Sequence, residues 1–271
     1  MTAQKPVRIE HLPDAPEIAV VSLNRPAQKN AITDEMIDGL MEAASSFHED
    51  SDTKVIVLRG EGGFFSAGAD VSTFDAIENE TDVNRVRRMT HKGGRLCTEW
   101  ETLPQLTIAS ITGGAVGGGL ALALASDWRV MAEDAWVYVP EARLGLIYGW
   151  NTVPRLTRLI GPARTKTLSI LCRRHSAAEC DKWGLTDKIA KGNDADKTAF
   201  ELAREACSVP RLAAQLIKRS TNAASNALSA STSYADMDDM LVCMTDPEGN
   251  AARQAFIAGL KNKDHKLEGG R

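Results

Sequence analysis

Apolar residues come in short runs in the first half of the chain and at helical spacing in the second. Val7–His11 and Ile18–Leu23 are β-like runs that predict two strands, followed by a turn at Arg25-Pro26. From Asp34 the period changes, and Met36, Ile37, Leu40, Met41, Ala44 and Phe47 share one face of an expected helix. Lys54–Gly60 and Leu106–Thr112 are short apolar runs that predict buried strands. Each leads into a glycine-punctuated loop, EGGFFSAGAD after the first and GGAVGGG after the second. A polar helical stretch, roughly Asn84 to Glu101, lies between them, and DWRVMAE and AWVYV predict further short strands. After Pro140 the pattern is helical, over Thr152–Ile160, Ala163–Leu171, Asp196–Ala206, Leu212–Ala224, Tyr234–Met244 and Asn250–Leu260. Strands alternating with helices predict an α/β layered core over residues 1–195, with a helical region over 196–265. KLEGGR, residues 266–271, reads as an appended tail outside the fold.

Composition narrows the function classes. The 271 residues are 43% hydrophobic and 25% charged, enough for a sizeable globular core. A formal net charge of −4 weighs against a nucleic-acid partner, which usually meets a basic surface. Cys97, Cys172, Cys180, Cys207 and Cys243 are scattered with no C-x-x-C, so neither a disulfide framework nor a zinc motif is expected. The histidines (His11, His48, His91, His175, His265) lack metal-ligand spacing, and no metal site is expected. No apolar run reaches a membrane span and MTAQKPVRIE has no signal-peptide core, so a cytoplasmic protein is the expectation.

The glycine loops carry the candidate chemistry. They are not phosphate loops: Gly119 is followed by Leu120 where a Walker motif needs lysine, and G-x-G-x-x-G started at Gly117 ends on Leu122. GFFSAG is not a nucleophile elbow, because Phe64 stands in the first glycine's place. Ligands of α/β sheets gather beyond the carboxyl ends of strands, where glycine lets them approach the main chain. A helix start adds N–H groups without partners. Two such loops can each aim one N–H at a single carbonyl oxygen, forming an oxyanion hole. They can equally be turns where helix and strand pack closely, and spacing alone leaves both readings open.

Four segments break the tie: SLNRPAQKNAI (Ser22–Ile32), FFSAGAD (Phe64–Asp70), ITGGAVGGGLALALASD (Ile111–Asp127) and VPEARLGL (Val139–Leu146). Their order and spacing, over about Val20 to Gly184, resemble the enoyl-CoA hydratase/isomerase (crotonase) family. The resemblance implies an α/β fold, a crotonase-like ββα spiral core with a helical C-terminal trimerisation region, assembled as a homotrimer or homohexamer. It implies an acyl-CoA substrate, with CoA part of that substrate and no separate cofactor. The backbone N–H groups of Ala67 and Gly118 would polarise the thioester carbonyl. Main chain around Ala67, Gly68, Ala69, Asp70 and Val71, together with Gly117 and Gly118, would line the CoA path. Lys29 would face the phosphates, with Lys261 as the basic residue near them from the carboxyl-terminal end.

Glu141 aligns with a catalytic glutamate of that family; outside the motif, a glutamate after proline is as readily a helix cap. In a dry pocket its pKa would rise, fitting it for acid–base work near neutral pH. Family hydratases carry a second glutamate three residues after the oxyanion glycine, where this chain has Ala121. Either Glu141 alone moves a proton between carbons, as the resemblance implies for isomerases, or Ala121 is an engineered Glu→Ala change. The hydratase-like surroundings and the tail favour the second. The stretch Tyr148–Leu156 departs from the family pattern, and bulky Tyr148 and Trp150 favour a small acyl group if they border the pocket rather than fill the core. The expectation is a lyase hydrating a short α,β-unsaturated CoA thioester. Its rivals are an isomerase and a non-catalytic CoA- or RNA-binding member of the fold.

Overall fold

A computed structural model describes residues 5–227, 229 and 235–268, with residues 71, 74, 75 and 260–268 described by their backbone alone. Strand β1 (Val7–Leu12) pairs antiparallel with β2 (Ala15–Leu23), which pairs parallel with β3 (Val55–Gly60). Parallel pairing continues through β4 (Leu106–Ile111), β6 (Trp128–Ala132) and β9 (Lys188–Ala190), giving the sheet order β1-β2-β3-β4-β6-β9. Parallel strands are covered on both faces, which is why Val55, Ile56, Val57 and Leu58 are buried without alternation. Helix α7 (Ala195–Cys207) covers one face, laying Ala195, Ala199, Ala203 and Cys207 close against β2, β3, β4 and β6.

A second sheet joins β5 (Gly114–Val116), β7 (Trp136–Tyr138) and β8 (His175–Ser176) in the order β5-β7-β8. The chain therefore alternates between sheets: β4 in the first, β5 in the second, helix α4 (Gly118–Leu124), then β6 in the first and β7 in the second. This strand–strand–helix repeat is the expected spiral.

Helix α1 (Asp34–Glu49) begins one residue after its cap, Thr33, whose hydroxyl accepts the Met36 N–H. Helix α2 (Val71–Glu78) follows the first glycine loop directly, over residues to which the sequence pattern assigns no element, and α3 (Val83–Thr102) comes next. The first two apolar patterns after Pro140, Thr152–Ile160 and Ala163–Leu171, are one helical stretch, α5 (Thr152–Leu171), interrupted at Gly161, where φ is 76°. Short α6 (Ala177–Trp183) is closed by a capping box between Ser176 and Glu179. Helices α8 (Arg211–Asn226), α9 (Asp236–Thr245) and α10 (Pro247–Glu268) follow among the described residues. Of these, α9 packs on α3, and α10 packs on the 3-10 turn Glu141–Leu144. Among the described residues no helix is long and apolar enough to cross a membrane.

Candidate active site

The two glycine loops lie side by side. Ser66 donates its N–H to Gly114 O at 3.1 Å and accepts from Val116 N–H at 3.0 Å, stitching the first loop to the second. On its other flank the first loop meets Ile32, whose N–H donates to Gly68 O and whose carbonyl accepts from Asp70 N–H. Gly68 N–H donates to Ser66 Oγ at 3.1 Å, and Ala67 N–H donates to Lys29 O at 2.9 Å. Ala67, the expected oxyanion donor, thus has its N–H engaged internally. The Ala69 N–H, two positions on, meets no acceptor among the described residues. Gly118 opens α4, and its N–H likewise has no acceptor among the described residues.

Three neighbours explain the three glycines. Gly117 has φ 47° and ψ −120°, a region only glycine enters freely, and a β-carbon there would collide with Glu141 Oε1. A β-carbon on Gly118 would stand 2.8 Å from the Trp150 indole, and one on Gly119 would stand 2.6 Å from Ser66 Cβ. The run therefore brings a helix start against a carboxyl group, an aromatic ring and the neighbouring loop.

Ala69, Gly118, Ala121, Glu141, Tyr148 and Trp150 line one cavity of about 80 Å³. Glu141 enters from the 3-10 turn after Pro140, and its Oε2 is buried with no hydrogen-bond partner among the described residues. Burial pushes its pKa up to about 8, so the carboxyl holds its proton at neutral pH. Ala121 is fully buried and lines the cavity with Glu141, bringing no titratable group to it. Tyr148 is buried, and its hydroxyl donates to Gly117 O at 3.0 Å.

The remaining wall comes from residues that sequence reasoning placed in the core or left unassigned. Met237, Met240 and Met244 of α9 face the cavity together with Met89 of α3. Their i, i+3, i+7 spacing was legible as one helical face, but nothing in the spacing says that the face meets a cavity.

The other expected residues sit around this centre. The Asp70 carboxyl holds Arg25 at 3.0 Å and accepts from Ser72 N–H and Oγ. Burial raises its pKa, but the Ser72 and Arg25 hydrogen bonds outweigh that and leave it lowered. Asp70 is thereby a strut of the loop. Val71 begins α2. Lys29 has φ 49° and carries its ammonium 5.7 Å from the Phe64 ring centroid, outside the cavity. Lys261 falls in α10, and its side chain lies outside the described residues. No metal-holding group of His, Cys, Asp and Glu exists among the described residues.

Residues 15–262 match the family described as enoyl-CoA hydratase/isomerase. The chain is 36% identical over 206 residues to the probable enoyl-CoA hydratase 2, mitochondrial, of Arabidopsis thaliana, which covers 74% of this chain and 66% of that protein. It thus spans just under two-thirds of that relative's length. It is 30% identical over 207 residues to the short-chain-enoyl-CoA hydratase of Clostridium acetobutylicum, across 76% of this chain and 78% of that one. The crystal structure of enoyl-CoA hydratase from Bacillus anthracis superposes with a TM-score of 0.74 at 29% identity, covering 96% of each chain. With its two glycine loops and the Glu141 carboxyl joined in one cavity, the chain belongs to the enoyl-CoA hydratase/isomerase family.

Proposed function

We propose that the protein is a hydratase of short α,β-unsaturated CoA thioesters. The observation that carries this reading is Glu141 Oε2, buried with no hydrogen-bond partner, in the same cavity as the amides of Ala69 and Gly118, which meet no acceptor among the described residues. The thioester oxygen sits between those two amides, and negative charge developing on it during attack is met by donors already in place. The donor from the first loop is Ala69 rather than Ala67.

Adding water across the double bond needs a base for the water and an acid for the α-carbon. A protonated Glu141 suits the acid role. The base belongs at position 121, which lines the same cavity, and we propose that Ala121 replaces an original glutamate. Gly68, Asp70, Val71 and Gly117 hold the main chain along which the CoA runs, while Lys29 and Lys261 meet its phosphates. The exposed apolar face of α8, with Leu212, Leu216 and Ile217, suits assembly as a homotrimer or homohexamer.

In its sharpest form the substrate is methylthioacryloyl-CoA, an intermediate of dimethylsulfoniopropionate degradation. Four methionines make the acyl end of the cavity soft and polarisable, which suits a methylthio group as well as an alkyl one. Water adds to the carbon bearing sulfur, and the resulting hemithioacetal expels methanethiol and leaves an aldehyde thioester. A second water releases CoA, and the free 3-oxo acid loses CO2 to give acetaldehyde.

The test is Ala121→Glu, assayed with crotonyl-CoA and methylthioacryloyl-CoA. Restoring an acid–base group raises turnover by about 10²–10⁴. No gain on either substrate removes the hydratase reading. Ala121 itself favours a second reading, an isomerase using Glu141 alone, and conversion of a 3-enoyl-CoA by the present chain selects it. CoA binding with no turnover before or after the change leaves a binding protein.

A further inference from the structure

Trp150 and Asn151 lie side by side in the left-handed backbone region, at φ 61° and 58°. Asparagine enters that region readily, but a bulky residue such as Trp150 avoids it and persists there only where its surroundings over-determine it. Here they do. Asn151 N–H donates to Asp236 Oδ2 at 2.6 Å, and Trp150 N–H points to Met237 Sδ at 3.4 Å, both at the start of α9. Arg155 donates to the Trp150 carbonyl at 3.0 Å and to the Asn151 carbonyl at 3.2 Å, and is itself held by Glu101 at 2.7 Å. Both N–H groups and both carbonyls of the pair are therefore gripped.

The grip aims the indole. A β-carbon on Gly93 of α3 would run into the ring, and one on Gly118 would stand 2.8 Å from it. The indole is wedged between α3 and the amide-bearing helix start, on the cavity wall. Asp236 is nearly fully buried, with 6% of its surface exposed. A buried carboxylate serving one backbone amide is an expensive device for a surface turn and a sensible one for fixing a wall.

We propose that Trp150 is the specificity-determining wall that limits this cavity to short acyl chains, and that Asp236 and Arg155 are the positioning residues that hold it there. This rests on the acyl-CoA reading of the cavity. Removing the indole opens the path toward Gly93 and α3 and leaves Glu141 and both amides present in the cavity.

Binding of saturated thioesters tests this without turnover, so the residue at 121 does not matter. Calorimetric titration of the chain, Trp150→Gly, Asp236→Ala and Asp236→Asn with CoA, butanoyl-CoA and octanoyl-CoA reads the chain-length preference directly. The chain itself favours butanoyl-CoA over octanoyl-CoA by at least about tenfold, and Trp150→Gly moves that ratio at least about tenfold toward octanoyl-CoA. Asp236→Ala moves the ratio in the same direction, while Asp236→Asn, which keeps a carbonyl acceptor for the Asn151 amide, restores it. An unchanged ratio in Trp150→Gly while butanoyl-CoA still binds overturns the proposal. So does equal affinity of the unaltered chain for both thioesters. Should no thioester bind the unaltered chain, the acyl-CoA reading itself fails, a result distinct from either of these.

Discussion

The Tyr148 hydroxyl donates to the carbonyl of Gly117, and that carbonyl belongs to the peptide whose N–H is the free amide of Gly118. The same oxygen accepts the Ala121 N–H at 2.9 Å. A peptide polarised at its oxygen is a better donor at its nitrogen, and burial strengthens the effect by keeping water away. Tyr148 thus braces an amide it does not itself expose to the cavity.

Replacing Tyr148 with Phe in the Ala121→Glu protein lowers kcat about two- to tenfold, the worth of one ordinary hydrogen bond, with little change in KM. Steady-state kinetics separate the two constants. A rise in KM at constant kcat would assign the hydroxyl to ground-state binding instead.

Gly117→Ala destabilises the fold. The backbone conformation alone costs on the order of 1–3 kcal/mol for a residue with a β-carbon. The new methyl also displaces the Glu141 carboxyl, so activity in the Ala121→Glu background is lost with it. Urea denaturation reads the first effect, and unchanged stability would contradict the backbone assignment.

Glu141→Gln changes how stability depends on pH. The Glu141 pKa is pushed up to about 8 from an ordinary 4.5, because burial disfavours the carboxylate. Between those values the folded chain holds a proton that the unfolded chain has released, so stability falls as pH rises. Glutamine carries no such proton. Relative to Glu141→Gln, the unaltered chain therefore loses stability progressively from pH 4.5 through 8 and levels off above. Parallel stability curves for the two proteins would place the carboxyl in water.

Much of the fold was legible along the chain because its signals are local. β-like apolar runs mark β2, β3 and β4, and helical spacing marks α1 and α3. Helix α2 escaped because its eight residues are too few to establish a period after a glycine loop. Strands β5, β8 and β9 have two or three residues each and exist only through their partners. Within the site, Glu141, Gly118 and Ala121 carried a motif's signature and proved to share a cavity.

What the chain by itself determined is which residue types stand at the ends of which strands: glycines in the loops after β3 and β4, and one glutamate after a proline. Tertiary structure alone decided which amide is engaged, since the Ala67 N–H is claimed by Lys29, 38 positions earlier in the chain, and that of Ala69 meets no acceptor among the described residues. It also brought Asp236 to the amide of Asn151, 85 residues away in the chain. A hydrogen bond across such a distance depends on how layers pack, and packing is written in no local stretch of residues.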